Sequence, residues 1–210
     1  MNFAGTNVSI SKLAIPVIAM MAVVAASNVL VQHPVPYFGL SEILTWGAFS
    51  YPVAFLVNDL TNRRFGPAVT RQVVYAGFAL AVVLSIWLAT PRIAVASGTA
   101  FLVGQLLDIG VFNRLRRMSW WQAPLAGSLL GSALDTVLFF SLAFAGDADM
   151  SGATTYGSIT VPLWVGLAFF DFLVKVGFAM LALIPYGALM GWLRPWNGSS
   201  SSENARPLAH

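Results

Sequence analysis

Four carboxylates lie inside or at the ends of strongly apolar runs: Asp59 follows PVAFLVN, Asp108 sits in FLVGQLLDIGVF, Asp135 in GSALDTVLFFSLAF and Asp171 in LAFFDFLVK. An ionisable group at the centre of a membrane helix costs about 2.5 to 3.5 kcal/mol, so such residues mark a polar pathway or pocket inside a helix bundle. Helical spacing gives them partners. Gln105 and Asp108, three apart, share a face and present an amide beside a carboxylate. Ser128, Ser132 and Asp135 form a second polar line, next to Gly127 and Gly131, whose spacing of four suits close helix packing. Asn58, Asp59 and Asn62 fall within about one turn, ahead of Arg63 and Arg64, where Asp59 either caps an interfacial helix end against Arg63 or Arg71 or serves the site. Asp171 precedes Lys175 by four residues, the favourable order for an ion pair within one helix. Trp46, Tyr51, Phe101 and Phe139 neighbour these faces and serve either as a ligand stack or, the commoner role, as bundle packing.

Carboxylates, amides and rings together suit a planar heterocycle. Carboxylates accept from ring N–H and exocyclic amine groups, amides read a carbonyl, and aromatic rings stack, so a guanine-like edge fits well. A metal ion or a proton would use the same carboxylates, and residue types alone leave that choice open.

The elements that must position these groups are membrane helices. The chain is 58% hydrophobic and 9% charged over 210 residues, and its apolar runs reach about 20 residues, enough to cross a hydrocarbon core of about 30 Å. Spans are predicted at about Leu13 to Val31, Ile43 to Asn58, Gln72 to Ala89, Ile93 to Phe112, Pro124 to Ala145 and Val161 to Leu193, with Pro185 kinking or ending the sixth. The expected fold is an all-α integral membrane protein of six transmembrane helices. Residues 1–194 form one membrane domain, and residues 195–210 a disordered cytoplasmic tail. Little length is left for a soluble catalytic domain or a nucleic-acid platform. The chain has no cysteine, which removes disulfides and thiolate chemistry; no cofactor and no metal site is expected. Lys12, Arg63, Arg64, Arg71, Arg114, Arg116, Arg117, Arg194 and Arg206 fall on one side and Arg92 alone on the other, which puts both termini in the cytoplasm. Trp120, Trp121, Trp192 and Trp196 read as interface anchors, and the polar stretch GDADMSGATTYGSIT as an external connector.

Three strings carry a family resemblance. YPVAFLVNDLTNRRFGPAVTRQVVYAGF, then ASGTAFLVGQLLDIGVFNRLRR, then GSLLGSALDTVLFFSLAF, spanning nearly all of Tyr51 to Phe144, resemble the queuosine precursor transporter family, also called the vitamin uptake transporter family. The resemblance implies a six-helix inner-membrane importer of 7-cyano-7-deazaguanine and 7-aminomethyl-7-deazaguanine, with a fold similar to the substrate-binding subunits of energy-coupling-factor transporters. It places the family's acidic residue after the second span on Asp59, its Q-x-x-D on Gln105 and Asp108, and its S-x-x-D-T from Ser132 to Thr136. One departure is that Thr61, Asn62 and Arg63 occupy the region where the family has a further acidic residue.

The candidate substrate-binding residues are therefore Asn58, Asp59, Asn62, Gln105, Asp108, Ser132, Asp135, Trp46 and Tyr51, with Asp171 and Lys175 as an ion pair. The expected partners are a deazapurine and membrane lipid, with no nucleic acid. An alternative is a binding subunit for another small heterocycle or vitamin that needs an energising partner, seated on the small pair Ala22 and Ala26 of the first span. An intramembrane aspartyl protease built on Asp108 and Asp135 is disfavoured, because LLDIG stands where G-x-G-D is expected.

Overall fold

The computed structural model describes residues 10–31, 33, 35–37 and 44–193. Its helices are α1 (Ile10–Leu30), α2 (Gly47–Phe65), α3 (Pro67–Leu88), α4 (Pro91–Leu115), α5 (Gln122–Phe144) and α6 (Leu163–Met190), with a hairpin of β1 (Ala153–Tyr156) and β2 (Ile159–Pro162) before α6. Five of them, α1 and α3 to α6, are long and apolar enough to cross a membrane. The chain is an integral membrane protein.

The sixth helix, α2, differs because of where it sits. It touches all five of the others, whereas α1 and α6 do not meet. A helix screened by five neighbours has no need of an apolar face toward lipid. It buries Asn58, Asp59, Thr61 and Asn62 instead. The expectation that this span ends near Asn58 is corrected: the helix runs on to Phe65, so Asp59 and Asn62 lie within it and not at an interfacial cap. A single residue, Gly66, then turns the chain into α3 with φ of 80°, the left-handed region that glycine tolerates, and Pro67 opens the next helix.

The other ends have local causes as well. Thr90 caps α4, its hydroxyl accepting from Ile93 N at 3.4 Å, with Pro91 in the first turn. Arg92 reaches across to the end of α5, donating to Leu142 O at 3.0 Å and Ala145 O at 2.6 Å, where a cation also suits the helix dipole. The stretch expected to be a plain connector holds the hairpin, with Tyr156 paired to Ile159 around a two-residue turn. Gly157 in that turn has φ of 63°. As a result α6 begins at Leu163, not Val161, and it continues through Pro185 to Met190. The expected tail, with Arg194, Trp196 and Arg206, lies outside the described residues.

Helices α4 and α5 approach closely at glycines. A Cβ added to Gly104 would sit 3.1 Å from Gly131 O, and one on Gly131 would sit 3.0 Å from Gly104 O and 2.6 Å from the Phe55 ring. This is the close packing expected of the Gly127 and Gly131 spacing, with Gly104 as the unforeseen partner.

Candidate transport site: a cavity above a buried polar cluster

A cavity of about 500 Å³ occupies the half of the bundle that ends in the α3–α4 turn and the α5–α6 hairpin. All six helices contribute to it. Asn28 comes from α1, Tyr51 from α2, Ser85 from α3, Ser97 from α4, Phe139 and Phe140 from α5, and Leu167 from α6. Asp135, Asp171 and Lys175 are among its walls.

These three form one ionic unit. Lys175 Nζ lies 2.8 Å from Asp135 Oδ2 and 2.6 Å from Asp171 Oδ2, and it donates to Thr136 Oγ1 at 3.0 Å. Thr136 Oγ1 in turn donates to Asp171 Oδ2 at 2.9 Å. An ammonium has three donors, and three acceptors surround this one. The pairing of Asp171 with Lys175 within α6 is therefore widened by Asp135 of α5, and the unit carries two carboxylates to one cation. Tyr51 stands close by, its hydroxyl 3.3 Å from Ser97 Oγ and its ring edge-on to Phe101 at 6.3 Å.

The remaining candidates gather elsewhere, nearer the arginine-rich end. Asn58 Nδ2 donates to Asp108 Oδ2 at 2.5 Å and to Gln105 O at 3.2 Å. Asn62 Nδ2 donates to Ile109 O at 3.5 Å, and Ser128 Oγ to Asp59 Oδ2 at 3.4 Å. The structure thus brings Asn58, Asp59, Asn62, Gln105 and Asp108 together in a buried cluster and places Asp135 and Tyr51 in the cavity. Ser132 is buried on α5 between the two groups. Trp46 is 39% exposed and packs on Phe49 at 5.7 Å, next to the cavity residues Thr45 and Gly47. On the far side of the cluster, Arg63, Arg116, Trp120 and Tyr186 line a crevice of about 40 Å³. Burial lowers Arg116 from its ordinary value, with Tyr186 opposing and Arg63 adding; the guanidinium stays charged.

Ser97, Thr136 and Phe140 stand outside the candidate binding residues expected from sequence, Thr136 appearing there only as the end of the S-x-x-D-T element. Each had a signal: a hydroxyl within an apolar helix, the threonine directly after Asp135, and the ring directly after Phe139.

Comparison with known proteins bears on what such a bundle does. Residues 45–90 and 84–190 match the family described as putative vitamin uptake transporter. The chain belongs to that family. It is 35% identical to the queuosine precursor transporter of Escherichia coli, over 88% of this chain and 89% of that protein. It is also 33% identical to a probable queuosine precursor transporter of Haemophilus influenzae, over 80% and 82%. A probable queuosine precursor transporter of Bacillus subtilis is 25% identical over 76% of each chain. No solved structure matches the chain. The family is one of transporters and not of enzymes, and this chain is a multi-pass membrane transporter.

Proposed function

We propose that this transporter carries a queuosine precursor, 7-cyano-7-deazaguanine or 7-aminomethyl-7-deazaguanine, across the inner membrane into the cytoplasm. The observation that carries this reading is the cavity of about 500 Å³ with Asp135, Asp171 and Lys175 in its wall. Its size lies within the range of about 300 to 1,000 Å³ usual for small-molecule sites. The names of the relatives support the substrate class.

A guanine-like edge offers N–H donors from the ring and the exocyclic amine, and a carboxylate accepts two such bonds side by side. Asp135 is the residue assigned to that edge. Tyr51, Phe139 and Phe140 supply faces for the ring. The excess of one carboxylate over the ammonium also accommodates the cationic aminomethyl form. With α2 as a sixth span, the arginine-rich end is cytoplasmic, both termini lie there, and the cavity faces outside. Asn58, Asp59, Asn62, Gln105, Asp108 and Ser132 then close the inward path beneath it. Capture of a small heterocycle from outside is the task also performed by the substrate-binding subunits of energy-coupling-factor transporters, and we place this fold with theirs.

The test is calorimetric titration of the purified protein with 7-cyano-7-deazaguanine, guanine, riboflavin and biotin. Selective tight binding of the deazaguanine is expected; a folded protein that binds none of them, or prefers riboflavin or biotin, overturns the assignment. One observation favours a second reading, a subunit that needs an energising partner: Ala22 and Ala26 are both exposed on α1. Uptake into liposomes by the purified chain alone would exclude an obligate partner.

A further inference from the structure

Closing the path beneath the cavity does not account for the polar groups that the buried cluster leaves unsatisfied. Asp108 is 0% exposed, Asn58 0%, Gln105 1%, Asn62 1% and Asp59 2%. The amide donors of Asn58 and Asn62 are turned to α4. Their oxygens are left over: Asn58 Oδ1, Asn62 Oδ1, Gln105 Oε1, Asp59 Oδ1 and Asp108 Oδ1 are all buried and accept no hydrogen bond. A native interior rarely orphans one such atom, and here five occur in one cluster.

Charge sharpens the imbalance. Asp135 and Asp171 share Lys175, but among the described residues neither Asp59 nor Asp108 has an ion-pair partner within 4.0 Å. The two carboxyls also lie close together. Asp59 accepts from Ser128, while Asp108 Oδ1 occupies the space that a Cβ on the adjacent Gly127 would need. Among groups facing them, Tyr186 of α6, Arg63 of α2 and Arg116 beyond α4 border the cluster on its inner side. On α5 the contact is the hydroxyl of Ser128, on α3 Arg71 and Tyr75 are exposed, and α1 presents no titratable group among the residues whose side chains are described. Carbonyl-type and carboxylate oxygens in excess, which the bordering Arg63 and Arg116 do not hydrogen-bond, are the ligand set of a small hard cation, or of a proton shared between acids.

We propose that this cluster binds one small monovalent cation, a proton or a sodium ion, held by Asp59 and Asp108 with the carboxamide oxygens of Asn58 and Gln105, and that the cation is exchanged when the inner end of the bundle opens. The cation site stands on the geometry alone; its link to substrate movement rests on the transport reading above. A cation held here while the cavity is loaded from outside and released when the cluster separates would couple the two movements.

Thermal unfolding of the purified full-length protein, without substrate, separates this proposal from the substrate assignment. One series replaces choline chloride by sodium chloride at constant ionic strength and pH; a second varies pH without sodium. A ligand bound only to the folded state raises the melting temperature by roughly 3 °C or more per tenfold excess over its Kd. A sodium-dependent rise lost in Asp59→Asn and Asp108→Asn identifies sodium. A rise on acidification, independent of sodium and lost in the same variants, identifies the proton. Asp135→Asn, in the cavity, is expected to keep the dependence. No dependence on either cation in the native protein, or the same dependence in the native protein and the variants, overturns the proposal. If the aspartate variants cannot be purified, Gln105→Met, which deletes one orphaned oxygen at similar volume, is expected to weaken the dependence; an unchanged one overturns it equally.

Discussion

Lys175 shows how a single buried charge ties elements together. Its three N–H groups meet Asp135 of α5, Asp171 of α6 and Thr136, so no donor is wasted on a side chain only 6% exposed. Removing one acid leaves the other as counter-ion, whereas removing the ammonium strands two carboxylates. Lys175→Met is therefore expected to cost about 3 to 5 kcal/mol, and Asp171→Asn less than half as much, read as melting temperatures in detergent. Equal losses would show that the ammonium is not shared. The pairing along α6 was legible in the sequence because residues four apart on a helix are neighbours. The arrival of Asp135, forty residues away, was not, since no local pattern records a tertiary contact. For the same reason the polar residues first read as one site separate into a cavity group and a buried group.

Helix packing gives a second set of outcomes. At Gly131 an added methyl would meet the Phe55 ring and the backbone of α4, so Gly131→Ala should destabilise by about 1 to 3 kcal/mol. Gly110, on the same helix as Gly104, has open space around its Cβ position, and Gly110→Ala should be neutral or stabilising by up to about 1 kcal/mol. Thermal melts of the two variants check the contrast, and similar effects at both positions would contradict the close contact. Element boundaries were read well around Thr90 and Pro91, but the start of α3 was expected at Gln72 although the helix opens at Pro67, directly after Gly66. They were read poorly at α2, where buried asparagines and an aspartate imitate a solvated helix end. The hairpin was missed although Thr154, Thr155 and Tyr156 precede a Gly-Ser turn and Ile159, Thr160 and Val161 follow it, a strand-turn-strand composition hidden by the polarity of its flanks.

At the scale of the molecule, a polar helix is threaded through the centre of five apolar ones, and this explains how so many buried carboxylates persist in a chain that is 58% hydrophobic. Orientation at this scale is open to direct test, because the native chain has no cysteine to remove. In intact cells a membrane-impermeant maleimide should label Asp149→Cys, beside the hairpin, and should label Met118→Cys, between α4 and α5, only after lysis. The opposite pattern would invert the transporter and turn the cavity toward the cytoplasm. The central claim, that the cavity wall at Asp135 holds the substrate edge, is tested most directly by calorimetric titration of 7-cyano-7-deazaguanine into the native protein and into Asp135→Asn under identical conditions. Loss of two hydrogen bonds to a charged acceptor should weaken binding by at least about tenfold to a hundredfold, some 1.5 to 3 kcal/mol, with the melting temperature showing that the variant is folded. Unchanged affinity in folded Asp135→Asn would place the substrate elsewhere and contradict the account.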